Sequence, residues 1–242
     1  MNALGSSAPG ALYLIPVPLG NVQASRVLPV EVIARVQSLD YFIAENAKSA
    51  RAFLKAAGTR KPLPAIEIRE IDASTAPGEF DTWLMPLLQG RDAGLISEAG
   101  CPGIADPGAA LVLAAHRHGI RVVPMVGPSS LLLGLMASGL NGQSFAFCGY
   151  LPVREPQRGK RIREIEDTSR RFAQTQIFIE TPYRNQALFA CLLQTCKAGT
   201  LLTVARELTL EGEWIATKSI AEWRKAPAPE LAKRPAVFLL LG

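Results

Sequence analysis

Short apolar runs alternate with amphipathic segments along the whole chain, and this alternation restricts the fold more than any other feature. The runs ALYLIPV (11–17), YFIAE (41–45), AGLISE (93–98) and IRVVPM (120–125) have strand length. Helix-periodic stretches lie near 28–38, 48–57, 79–89 and 107–118, with a polar, proline-containing loop before the third. Strands that alternate with helices predict a parallel sheet covered by helices on both faces. From residue 126 the pattern changes. VGPSSLLLGLMASGL opens on a Gly-Pro turn, offers Ser129 or Ser130 as a helix cap and continues as an apolar helix. SFAFCGYL (144–151), TQIFIET (175–181), LLTVARE (201–207), EWIATKS (213–219) and AVFLLLG (236–242) read as strands, several of them hairpin-like, with helices near 157–172 and 184–196. The expectation is an α/β chain with a flexible lead at 1–10 and two α/β domains. The domain at 11–125 carries a mainly parallel sheet, that at 126–242 a mixed one, and a ligand cleft lies between them.

A chain of 242 residues buries enough apolar surface to fold without disulfides. Cys101, Cys148, Cys191 and Cys196 form no C-x-x-C and have no histidines at zinc spacing. No structural metal is expected, and the thiols are read as reduced in a cytoplasmic protein. The first ten residues have neither a basic nor an apolar region of a signal peptide. The longest apolar run, LLLGLMASGL (131–140), is too short and glycine-interrupted to span a bilayer, which leaves it a core or interface role. The formal charge of +5 and pI near 9.2 suit a polyanionic partner without demanding one.

Three turns fall at carboxyl ends of expected strands: PVPLGN (16–21), SEAGCPGIADPG (97–108) and GPSS (127–130). Glycine permits positive φ and close approach while proline fixes φ, so such loops have a set shape and expose main chain. Together at one sheet edge they suit a ligand whose polar edges are read by backbone groups. Neither G-x-G-x-x-G nor G-x-x-x-x-G-K-[ST] occurs, so an ordinary dinucleotide fold and a phosphate-loop NTPase are not indicated.

The ordered set LYLIPVPLGN, AEN (44–46), SEAGCPGIADPG, VGPSSLLLGLMASGL, GYLP (149–152), ETPYRN (180–185) and ARELT (205–209) resembles the tetrapyrrole methylase superfamily. Within it, the set most resembles the ribosomal RNA small-subunit methyltransferase I family, over nearly the whole chain from residue 11. The resemblance implies a two-domain homodimer that binds S-adenosylmethionine and methylates a ribose 2′-hydroxyl of small-subunit ribosomal RNA, free or in the assembled subunit. Matching the motifs residue by residue implies a cofactor set of Pro18, Leu19, Gly20, Ser97, Glu98, Ala99, Gly100, Cys101, Ile104, Ala105, Gly127, Pro128, Ser129 and Ser130, with Tyr183 and Glu207 from the later motifs; Pro235 and Ala236, at the start of the last expected strand, complete the expected set. Lys48, Tyr150, Arg154, Arg158, Arg184 and Arg206 are the implied substrate contacts, and no metal is implied.

Several side chains depart from the family pattern. A-E-D-T-R is here AENAK, with Asn46, Ala47 and Lys48 in the last three places; S-D-A-G-T-P is SEAGCP, with Glu98 and Cys101; and Leu210 stands where a lysine commonly follows A-R-E-L-T. The sequence stops at AVFLLLG, before the further carboxyl-terminal segment of longer relatives. Two other readings therefore stay open: a methyltransferase of the same fold with a small-molecule acceptor, and a non-catalytic cofactor- or RNA-binding relative.

Methyl transfer from a sulfonium needs mainly alignment and exclusion of water, and a weakly nucleophilic ribose hydroxyl benefits from a base. Glu45, Glu98 and Glu207 are the candidate bases, with Glu180 a further acid near a strand end; each is also suited to capping or ion pairing. Arg206 beside Glu207 is read either as a phosphate contact or as half of an ion pair. The segment 153–171 holds seven basic and four acidic residues. If helical, it pairs Lys160 with Glu164 and Arg163 with Asp167, or attracts an RNA backbone. Tyr150 and Tyr183 are read as stacking or buried, His116 and His118 as surface or cap residues, and Trp83, Trp214 and Trp223 as core or dimer contacts.

Overall fold

The computed structural model describes residues 8–242. The chain divides into two compact units, with the break between Pro128 and Ser129, inside the Gly-Pro turn, where the sequence had suggested 125/126. Of the expected lead, residues 1–7 lie outside the described residues; Gly10 is buried and its amide donates to Leu87 O at 2.7 Å.

The first unit runs β1 (Ala11–Ile15), α1 (Val30–Ser38), β2 (Tyr41–Ala44), α2 (Ala47–Ala57), β3 (Glu67–Glu70), α3 (Pro77–Leu88), β4 (Ala93–Ile96), α4 (Gly108–Arg117) and β5 (Arg121–Pro124). Its five strands are all parallel, in the order β3-β2-β4-β1-β5. β2 and β4 are buried at every position because helices cover both faces. Val32, Val36 and Leu54 of α1 and α2 pack with Ile15, Phe42 and Ile96 on one face. Phe80, Leu84 and Leu111 of α3 and α4 pack with Leu12, Ile43 and Leu95 on the other. From β1 the chain proceeds toward β2 and β3; from β4 it proceeds the opposite way, to β5. The adjacent carboxyl ends of β1 and β4 are thus a topological switch point, the kind of position at which open α/β sheets bind ligands. The amino ends of β2 and β4 are locked by side chains instead: Arg91 reaches Asp40 at 3.0 Å and Glu67 at 2.8 Å and lies over the Tyr41 ring.

The second unit runs α5 (Ser130–Ser138), β6 (Phe145–Tyr150), α6 (Gln157–Phe172), β7 (Thr175–Ile179), α7 (Asn185–Thr195), β8 (Leu201–Arg206), β9 (Trp214–Ser219), α8 (Ile220–Lys225) and β10 (Ala236–Leu241). Its sheet is mixed, ordered β6-β7-β10-β8-β9, with β6 and β7 parallel and the remaining pairs antiparallel. Alternate residues of β7 and β10 serve different helices. Phe178 and Phe238 stack at 5.9 Å in the core beneath α6, α7 and α8, whereas Ile177, Val237 and Leu239 pack against Leu135 of α5. Trp223 anchors α8: it is buried, its indole N–H donates to Leu202 O at 2.8 Å and its ring meets Phe189 edge-on.

The expected elements form within a few residues of their sequence limits, with two additions. β3 replaces part of the expected polar loop; its EIRE sequence is half exposed at a sheet edge, so it carries no apolar run. α8 follows a capping box in which Ser219 accepts the Glu222 amide and Glu222 accepts from Ser219 N, a signal legible as S-x-x-E. Ser129 does occupy the N-cap position of α5, but its side chain makes no capping bond. Of the apolar run at 131–140, Leu135 is buried in the core while Leu132 and Met136 are exposed.

Gly94 sits mid-strand in β4, where an added Cβ would lie 2.6 Å from Ile15 Cδ1 and 2.7 Å from Phe42 Cδ1. Gly94→Ala is expected to cost about 1–3 kcal/mol by overpacking, read as a lower urea midpoint with unchanged m-value; an unchanged midpoint would show that β4 needs no close approach there.

Candidate active site

The carboxyl edge of the first sheet is assembled mostly by main chain. Beyond β1, Val17 N donates to Gly100 O at 2.9 Å and Gly100 N returns a bond to Val17 O at 3.2 Å. This pair ties the turn holding Pro18, Leu19 and Gly20 to the loop after β4. Gly100 has φ +73°, and a Cβ there would crowd Leu19 Cδ2 at 3.1 Å and Pro128 O at 3.3 Å, so only glycine fits this junction. The Cys101 thiol sits 3.5 Å from Pro128 O and 3.9 Å from Gly127 O, linking the loop after β4 to that after β5. A thiol therefore reaches the carbonyls that a threonine hydroxyl would be placed to meet. Burial pushes the Cys101 thiol above its ordinary pKa, so it acts as a donor rather than a nucleophile. Gly127 leaves no room for a side chain either, with an added Cβ 2.2 Å from Pro16 Cγ.

Asp106 holds the middle of the loop after β4, and sequence reasoning missed it. Its carboxylate accepts Gly103 N at 2.8 Å and Gly108 N at 2.7 Å. Gly103 and Ala105 beside it adopt positive φ, at 83° and 63°. Burial raises the Asp106 pKa against the pull of those amides. An Asp followed by Pro-Gly at a helix start was the available signal.

Glu45 ends β2 beside this loop. Its amide donates to Ile96 O and its carboxylate accepts Glu98 N at 3.2 Å. Burial raises its pKa, and the charges of Asp106 and Glu98 add to the rise, although the Glu98 amide opposes it. Glu98 itself is exposed, and Ser97 is buried. Asn46 caps α2, its side-chain oxygen accepting Lys48 N at 2.9 Å and Ser49 N at 3.1 Å. The departure from the family's acid at this position therefore keeps a capping acceptor. Ala47 is buried, and its amide donates to Glu70 at 2.7 Å.

The other expected residues lie on the second unit, several at one end of its sheet. Tyr150 pairs with Ile179, Val237 with Ile179, Ala236 with Arg206, and Arg206 with Trp214. The Arg206–Glu207 ion pair does not form. Glu207, with φ 52°, pairs with Arg234 at 2.6 Å, whereas Arg206 donates to Glu230 O and stacks on Trp214. A chain turning into positive φ at Glu207 sends successive side chains to different neighbours. Arg184 is paired with the buried Glu180 at 2.6 Å. Burial works against ionising Glu180, but the Arg184 bond and the Thr181 amide together hold its pKa below the ordinary value, so it is a structural counter-ion. Among the described residues Arg184 Nε, Asn185 Oδ1, Arg206 Nε and Thr209 Oγ1 are buried without hydrogen-bond partners, whereas most buried polar atoms of a folded chain find one. Tyr150 and Tyr183 are exposed, not buried.

α6 also corrects the expected pairing. Its ion pairs run i,i+3, Arg161 with Glu164 and Arg170 with Asp167, preceded by Glu155 with Arg158. Gly159, Ile162, Ile165, Glu166 and Ser169 take the buried face, which turns the i,i+3 neighbours toward one another on the outside. Arg154 is exposed ahead of this helix. His118 caps α4 and pairs with Asp81. No group of three or more metal-ligating side chains occurs among the described residues.

In fold, the chain is similar to the methyltransferase CobJ, with TM-score 0.62, 19% identity and coverage of 96% of this chain and 94% of the other. Cobalt precorrin-4 methyltransferase CbiF gives TM-score 0.60 at 14% identity with the same coverage. The fold is thus the two-unit α/β architecture of these methyltransferases. No family model matches the chain. In sequence it is 35% identical to ribosomal RNA small subunit methyltransferase I of Mesorhizobium japonicum, over 87% of this chain and 67% of the relative. It is 30% identical to that of Xylella fastidiosa over 97% and 82%, and 30% identical to that of Escherichia coli O157:H7 over 88% and 70%. The chain belongs to the ribosomal RNA small subunit methyltransferase I family.

Replacing Asp106 by Ala removes the acceptor of two loop amides. The expected result is faster hydrogen exchange at Gly103 and Gly108 with little change at the Arg91 cluster on the opposite edge; uniform acceleration across the unit would show that Asp106 is a global rather than a local staple.

Proposed function

We propose that this protein transfers a methyl group from S-adenosylmethionine to a ribose 2′-oxygen of small-subunit ribosomal RNA, acting on the RNA or the assembled small subunit as a cytoplasmic homodimer. The observation that carries this reading is the glycine-shaped junction of the loops beyond β1 and β4, at the switch point of the sheet, in a chain about one-third identical to relatives named for that activity. No helix among the described residues is long and apolar enough to cross a membrane, which accords with the location, and exposed Leu132 and Met136 on α5 offer apolar surface to a second copy.

The residues present fit the cofactor. Gly100 and Gly127 let the loops after β1, β4 and β5 pack directly on one another, which fixes peptide groups suited to a ligand with many polar edges. Pro18 to Gly20, Ser97 to Ala105, Gly127 and Pro128 are the proposed contacts. Bound there, S-adenosylmethionine supplies an electrophilic methyl on a sulfonium. The chain's part is to place the acceptor oxygen in line, exclude water and take up a proton. Glu45 fits the last role best of the three candidate bases. It is half-buried beside the loop after β4, and burial raises its pKa, which gives it a stronger hold on a proton. Glu207 is engaged by Arg234, and Glu98 is exposed.

Labelled methyl is expected on one ribose oxygen of small subunits purified from a strain lacking the protein. Label only in low-molecular-weight extract, or cofactor binding without turnover, would overturn the proposal in favour of the small-molecule or non-catalytic reading. Glu45→Gln is expected to lower kcat by about 100-fold or more and to abolish the acid limb of the pH profile. The sign for stability is opposite. An acid with a raised folded-state pKa contributes stability below its unfolded pKa and loses it as pH rises through the folded one. Glu45→Gln should therefore leave the urea midpoint at pH 7 unchanged or higher, and a lower midpoint would make Glu45 structural.

A further inference from the structure

α2 breaks the electrostatic rules of an isolated helix. Its sequence, AKSARAFLKAA, contains three cations and no acid, with none in the first turn. Lys48 lies one residue into the helix and Arg51 one turn further, toward the end where the helix dipole disfavours positive charge. At 100° per residue Lys48, Arg51 and Lys55 fall within an arc of about 60°, so like charges repel at i,i+3 and i,i+4 by a few tenths of a kcal/mol per pair. All three are exposed, and none of their side chains has a hydrogen-bond or ion-pair partner among the described residues.

The fold does not need them. Ala47, Ala50, Leu54 and Ala57 supply the buried face, while Asn46 and Glu70 satisfy the first amides. α6 provides the contrast. It has more cations, yet three carboxylates neutralise Arg158, Arg161 and Arg170 in place. α6 still leaves Lys160, Arg163 and Arg171 outside its ion pairs, but it carries three acids of its own, whereas α2 carries none. Local rules are broken where a sequence serves something other than folding.

Resting on the reading of the substrate as RNA, we propose that Lys48, Arg51 and Lys55 form a track for the phosphodiester backbone of that RNA. From Lys48 to Lys55 the helix rises about 10 Å, the axial rise of about three phosphates on one strand. Beside the cations the exposed residues are Ser49, Ala52 and Ala56, small enough for a sugar-phosphate chain to lie close. The track begins three residues after Glu45, so a strand held along it is led to the edge of the sheet.

The test is anisotropy titration of a labelled small-subunit ribosomal RNA fragment with the full chain between about 50 and 200 mM KCl, where each lost phosphate contact lowers the slope of log K against log salt by about 0.7 to 0.9. Arg51→Ala/Lys55→Ala is expected to lower the slope by about 1.4 to 1.8, with unchanged S-adenosylmethionine affinity and a urea midpoint unchanged or raised. The charge-keeping Arg51→Lys/Lys55→Arg should retain the slope. An unchanged slope in the alanine variant, or equal loss in the charge-keeping one, overturns the track. So does a full loss from Lys160→Ala/Arg163→Ala on α6 with none from α2. If phosphatidylglycerol vesicles lose the alanine variant while RNA does not, the stripe is a membrane contact and the proposal fails. Unchanged slope in a protein that still methylates subunits sinks the track alone; a wild-type chain that neither methylates nor binds RNA sinks the parent reading with it.

Discussion

The in-register parallel pairing of β1 with β4 governs the rest of the first unit. It aligns Leu12 to Ile15 with Ala93 to Ile96, and although the chain leaves the two strands in opposite directions, the loops beyond them begin side by side. The Val17–Gly100 bonds extend that pairing past the sheet. Everything proposed for chemistry hangs on this edge: Glu45 from the neighbouring strand, Asp106 within the loop, Cys101 reaching toward the next turn. The opposite edge is held by Arg91 and its carboxylates. One end of the sheet is thus secured by side chains and the other left to the backbone.

Much of this was legible in the sequence, for physical reasons. Strands buried on both faces must be apolar at consecutive positions, so β1, β2, β4 and β10 stood out. Glycines and prolines at carboxyl strand ends marked the loops, since few other residues tolerate such turns. β3 was not legible because an edge strand with two exposed positions needs no apolar pattern. The partners of charged residues were also hidden. Arg206 and Glu207 are adjacent in sequence yet separated by a change of backbone region, and the acid's true partner, Arg234, lies 27 residues on. Asp106 escaped notice because its role depends on amides that converge only once the loop is closed.

The departures from the family pattern look different against this geometry. Asn46 still caps a helix, Cys101 still approaches two carbonyls, and neither position bears the burden of shaping the loop junction. Gly100 and Gly127, which do, match the pattern. The balance of charge reads differently as well: α6 carries more cations than α2, but carboxylates of its own segment pair with three of them, whereas the three cations of α2, next to Glu45, have no acid on their helix.

A site lined by peptide groups has its own mutational arithmetic. Substitution can replace any side chain in the loops, but it removes an amide hydrogen only by introducing proline and forces the loops apart only by adding a Cβ to a few glycines. Most single changes therefore leave the ligand-facing atoms in place, and the loops can drift in sequence while their surface stays the same. Such a site keeps a shape that residue-by-residue comparison underestimates, and its memory is held in the course of the backbone.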